Sequence, residues 1–91
     1  MVIEFCDDDE AYLKWIGANT DAFVLNTFRK PSASYLILHR ATCGTIAGVP
    51  ARGDQWTRGY IKICATDRSD LERWARDTTG GTPTPCRLCK A

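Results

Sequence analysis

The residues best suited to chemistry are the sulfur and imidazole donors: five cysteines and one histidine in a chain of 91 residues. Cys86 and Cys89 lie in PCRLC. A Cys-x-x-Cys turn after a proline lets two thiolates grip one metal ion. Such a pair needs two more ligands, and HRATC offers His39 and Cys43 where a strand ends and the chain turns. Cys64, at the end of YIKIC, competes with His39 for the fourth place. Mixed sulfur and imidazole donors in a closed tetrahedron select zinc. Cys6 belongs to neither pair and reads as a small buried hydrophobe.

Other chemistries fit these residues less well. A disulfide framework suits secreted chains, but five is an odd number and the N-terminus, MVIEFCDDDE, is acidic where a secretory signal is basic. A reducing, cytoplasmic setting is expected. Redox Cys-x-x-Cys pairs sit at a helix N-terminus, where the dipole lowers the thiol pKa, and no helical pattern follows Cys86. His39 and Cys43 as base and nucleophile would compete with the metal for the same atoms. GTIAGVPARG lacks the Lys-Ser/Thr of a phosphate loop. The acids of DDDE read as a capped helix start rather than a nuclease site. The expectation is a non-enzymatic protein.

The second informative stretch is RGDQWTRGYIK, residues 52–62. It interleaves Arg52, Arg58 and Lys62 with Trp56 and Tyr60, and Arg29, Lys30 and Arg40 extend the set if the strands are adjacent. Basic side chains bind phosphates and an exposed aromatic stacks on a base. The charge is split along the chain. Residues 1–21 carry six acids and one base, while residues 29–68 carry seven bases and two acids. The net charge of +1 excludes a polybasic, histone-like binder but allows a local anion-binding face. The competing reading is a protein-interaction or regulatory zinc module whose basic face meets an acidic protein partner.

These groups need elements to position them. A content of 44% hydrophobic and 25% charged residues is that of a globular chain, and no apolar run approaches the roughly 20 residues of a membrane span. The length predicts one domain over 1–91. A helix is expected over 8–18, capped by Asp7, with Tyr12, Leu13, Trp15 and Ile16 as its apolar stripe and a stop at Gly17 or Asn19. Val2, Ile3 and Phe5 before it form a short edge strand or a staple. Strands are expected over 22–28, 34–39 and 58–64, the first two as an antiparallel hairpin and the second central. In the third, Ile61 and Ile63 face one way and Tyr60, Lys62 and Cys64 the other. A short helical turn near 43–47 leads into a loop. A second helix is expected over 67–77, with Leu71, Trp74 and Ala75 inward and a Glu72–Arg76 pair outward. The tail TPTPCRLCKA is irregular and would fray unless tied down.

The blocks YLILHRATCGTI, YIKICA, LERWA and PCRLC together resemble a small zinc-type domain of bacterial chains that occurs alone or beside restriction-type nucleases. The resemblance spans the first helix to Cys89, implies the same ligand set and turns the function toward DNA. The expected fold is α+β: about three antiparallel strands flanked by two helices, the C-terminal tail held by zinc. The expected function is nucleic-acid binding, with DNA favoured, and no role at a membrane.

Overall fold

The structure is a computed structural model that describes residues 2–44, 46, 57 and 59–89. Its elements run β1 (Ile3–Phe5), α1 (Asp9–Ala18), β2 (Phe23–Phe28), β3 (Leu36–Arg40), β4 (Tyr60–Ala65), α2 (Arg68–Thr79) and β5 (Thr84–Pro85). The strands form one mixed sheet in the order β1-β4-β2-β3-β5. All neighbours are antiparallel except β5, which runs parallel to β3. The class is α+β as expected, with five strands in place of three. The extra two are three and two residues long, too short to show a period.

The helices cover opposite faces of the sheet. On one face α1 buries Tyr12 and Ile16 against Phe5, Val24 and Cys64. On the other α2 buries Leu71 and Ala75 against Leu25, Leu38, Ile61 and Ile63. Each Val, Leu, Ile or Phe among these removed from water contributes about 1.5–3 kcal/mol. Leu13 and Trp74 are only partly buried at the margins of these clusters. The centre of the sheet is β2, whose residues Val24 to Thr27 are all buried. β3 lies one place off this centre, flanked by β2 and β5, and is an interior strand as its apolar run suggested.

Asp8, not Asp7, caps α1: its side chain accepts a hydrogen bond from the Ala11 amide. Asp7 instead adopts φ 53°, in the left-handed region that a short polar residue tolerates. It turns the chain out of β1 and receives the guanidinium of Arg29 through both carboxylate oxygens. Cys6, just before this turn, is exposed rather than buried, because alternation along the strand sends Phe5 inward and the next side chain out. α1 stops without a left-handed residue; the Asn19 amide donates to the Trp15 carbonyl at 2.9 Å. α2 ends at Gly80, whose φ of 75° is left-handed. The exposed ion pair on α2 joins Arg68 to Glu72 at 3.8 Å.

The chain between β3 and β4 is fastened to α1 at both ends. The Tyr12 hydroxyl donates to the Ile46 carbonyl at 2.6 Å. Asp9 accepts from the Thr57 amide and hydroxyl at 2.7 and 2.6 Å. Turn hydrogen bonds from Cys43 N to Arg40 O and from Ile46 N to Cys43 O match the expected helical turn in its described part.

Candidate metal centre and exposed sheet face

His39, Cys43, Cys86 and Cys89 converge, with one ligand atom from each lying within 4.8 Å of all the others. Each is delivered by a separate local device. His39 is the fourth residue of β3 and is buried on the α1 face. Cys43 follows in the turn that leaves this strand. Past α2, Gly81 brings the tail against the hairpin so closely that a Cβ there would lie 2.9 Å from both Ala33 Cβ and Leu36 Cδ1. The tail then pairs along β3, and the Cys86 amide donates to the Leu38 carbonyl at 2.8 Å. This sets the Cys86 sulfur 4.0 Å from that of Cys43. Cys89 comes round in the next turn, where the Arg40 amide donates to its sulfur at 3.3 Å and the Arg40 Nε to its carbonyl at 3.1 Å.

The electrostatics favour ligation at His39 and Cys86. Burial, and then the charge of Lys62, push the His39 imidazole down to about 4, so at neutral pH it is uncharged and has a lone pair to offer. Burial pushes the Cys86 thiol up, but the Cys89 and Leu88 amides and the thiols of Cys89 and Cys43 outweigh it and leave the group lowered. Burial raises Cys89, against the Arg40 amide and together with the adjoining thiols. Three sulfurs and an imidazole at this separation can hold a metal ion.

Cys64 takes no part in this cluster. Both Cys64 and His39 are cross-strand partners of Val24, one on each side of β2. They share a face but stand two strand spacings apart, roughly 10 Å. The tail returns along β3, so His39 meets it. Cys64 is fully buried, and burial, opposed by the charge of Lys62, pushes its thiol up to about 12.

Among the described residues of the predicted basic and aromatic set, Arg40, Tyr60 and Lys62 do not form one exposed face. Lys62 is only 3% exposed. β4 lies between β1 and β2, and the Lys62 Nζ donates to the Asn26 side-chain carbonyl at 2.8 Å. It lies within the covered sheet face, not on the surface where the sequence reading placed it. Arg40 is exposed but sits beside Cys89, opposite Phe23 at the end of the sheet where β2 meets Ala65. Tyr60 pairs with Phe28 at the other end. Arg52, Trp56 and Arg58 lie outside the described residues.

What sequence reasoning missed is an aromatic group around Tyr60. Phe28, Tyr35 and Tyr60 pack together with ring centroids 5.0–5.8 Å apart and planes inclined by 27–33°. Phe28 is 38% and Tyr60 42% exposed. The available signal was register: Phe28 ends β2, Tyr35 precedes β3 and Tyr60 begins β4, so a single end of the sheet collects all three. The same face thus runs from a covered apolar zone under α1, through the polar pair Lys62 and Asn26, to an open aromatic zone. Among the described residues no helix is long and apolar enough to cross a membrane. No protein-family model, curated protein or solved structure matches the chain.

Proposed function

We propose that this chain is a zinc-stabilised, non-enzymatic module that binds nucleic acid, DNA foremost, through the sheet end carrying Tyr60. The observation that carries the zinc half is the convergence of His39, Cys43, Cys86 and Cys89 from two distant parts of the chain. A tetrahedral site with Zn–S bonds of about 2.3 Å places its sulfurs roughly 3.8 Å apart, close to the 4.0 Å between Cys43 and Cys86. The metal's role is structural: with four protein ligands no coordination position remains for a substrate.

The nucleic-acid half rests on charge and aromatic exposure together. Residues 22–53 contain no acid and four bases, of which Arg29 and Lys30 follow Phe28 directly, Arg29 in an ion pair with Asp7. Phe28 and Tyr60, stacked on one another, are each partly exposed. Arg58 and Trp56 adjoin Tyr60 in sequence and are assigned to the same contact.

A salt titration of DNA binding by the zinc-loaded chain tests the reading. Counterion release predicts an affinity that falls linearly on a log–log plot as salt rises, and Arg58→Ala flattens the slope by about one. No binding to DNA or RNA at low salt transfers the surface to an acidic protein partner.

A further inference from the structure

Resting on the reading of His39, Cys43, Cys86 and Cys89 as a zinc site, we infer that Cys89 is a site of oxidation by hydrogen peroxide. Cys86 is the thiol that resolves it, and closing the pair into a disulfide releases the metal.

The sulfur ligands are not equally placed. Cys43 and Cys86 are only 5% and 9% exposed, whereas Cys89 is partly exposed. Arg40 stands beside Cys89, its amide on the sulfur and its guanidinium on the carbonyl. The most accessible sulfur of the cluster is thus also the one next to a cation, and partly exposed thiolates in electropositive surroundings are those that react. A thiol that ligates a metal has given up its proton, so Cys89 needs no helix dipole to meet an oxidant as a thiolate. A second thiol is at hand. Cys86 lies three residues back in the same Cys-x-x-Cys turn, its sulfur within 4.8 Å. The remaining cysteines are out of reach. Cys64 is fully buried under α1, and Cys6 follows β1 at the opposite side of the sheet, three strand spacings or roughly 14 Å from β3.

The chemistry takes two displacements. The Cys89 thiolate attacks one peroxide oxygen: an S–O bond forms, the O–O bond breaks, and the departing hydroxide takes a proton to become water. The sulfur has passed two electrons to the peroxide. The Cys86 thiolate then attacks the Cys89 sulfur: the S–S bond forms, the S–O bond breaks, and the second hydroxide leaves as water. In sum, two thiolates, one peroxide and two protons give one disulfide and two waters. His39 and Cys43 alone then remain, and two ligands do not close a tetrahedral site. The tail has few anchors of its own. Thr84 and Pro85 are exposed, Leu88 is 75% exposed, and the Cys86 amide holds Leu38 by one hydrogen bond. A dithiol reductant reverses the step by exchange at the disulfide.

The test uses the zinc-loaded Cys6→Ser chain, which keeps all four ligands and lacks the exposed thiol outside the site. Hydrogen peroxide should release about one zinc per disulfide formed, read with a chromogenic indicator. Peptide mass spectrometry should place the disulfide between Cys86 and Cys89, with Cys64 still a free thiol. Dithiothreitol and added zinc should restore the starting state. The fully buried Cys64 reports opening of the domain, so iodoacetamide should label it at least about tenfold more slowly than Cys89. Zinc release should be first order in peroxide and unchanged by urea below the unfolding transition. The inference is overturned, with the zinc reading left standing, if the loaded chain keeps its metal in peroxide. It is also overturned if the disulfide joins another pair, or if release quickens with urea in step with Cys64 labelling. If the purified chain holds no zinc, both readings fall together.

Discussion

Arg40 holds Cys89 by two groups, its backbone N–H on the sulfur at 3.3 Å and its guanidinium Nε on the carbonyl at 3.1 Å. The first of these stabilises negative charge on the sulfur and the second fixes the turn that carries it. Hydrogen bonds of this kind orient metal ligands and tune their basicity. Arg40, expected from sequence at a phosphate, thus also supports the turn that carries Cys89. Arg40→Ala should leave zinc bound but weaken its affinity by about 10- to 100-fold, read by competition with a chromogenic chelator.

The protein as purified should carry about one zinc per chain in native mass spectrometry. Structural zinc contributes on the order of 10 kcal/mol in small domains, so a strong chelator should abolish the folded circular-dichroism signal. Cys86→Ser should do the same without chelator. Cys6→Ser should change neither measurement, since Cys6 is exposed and outside the cluster.

His39→Ala and Cys64→Ala should separate cleanly. The first removes a ligand and should lower zinc stoichiometry well below one. The second removes only a packed thiol at the centre of the α1 face and should keep full zinc, with a stability loss of about 0.5–3 kcal/mol in denaturant unfolding.

Lys62 should make stability depend on alkaline pH. Burial, offset by Asp9 and Cys64, lowers its folded pKa from 10.5 to about 8. Between those values the unfolded chain holds a proton that the folded chain does not, so stability rises with pH. The stabilising contribution is complete above the unfolded pKa and lost as pH falls through 8. Unfolding free energies of the parent and Lys62→Met, measured from pH 7 to 11, should converge or cross in the parent's favour as pH increases.

Leu71→Ala should cost about 2–5 kcal/mol, because Leu71 is fully buried between α2 and the sheet. Gly81→Ala should also destabilise, by about 1–3 kcal/mol, through the clash of its Cβ with Ala33 and Leu36. Thermal unfolding followed at 222 nm reads both.

The long elements and the candidate metal cluster were legible in the sequence for the same reason: each has a period or a spacing. Tyr12 and Ile16 fall one helical turn apart, Ile61 and Ile63 alternate with Lys62, and Cys86 and Cys89 fix a two-thiol turn. The rest depended on tertiary register. Nothing local distinguishes His39 from Cys64, since both face α1 across Val24; the choice was made by the tail returning beside β3. Lys62 looked like a surface cation because alternation gives a face but not what covers it. Phe28 and Tyr35 carried no motif of their own and became a group only when β2, β3 and β4 were laid side by side.

The two-residue strand β5 also covers the free edge of β3, where the Cys86 amide reaches the Leu38 carbonyl. So short a strand cannot hold that place unaided. A chain stripped of its metal would let it peel off and uncover the hydrogen-bonding groups of an apolar strand, Leu36–Arg40, which is a template for pairing with a second molecule. A metal ion held by His39, Cys43, Cys86 and Cys89 would then also guard against polymerisation, and turbidity should be the first sign of its removal.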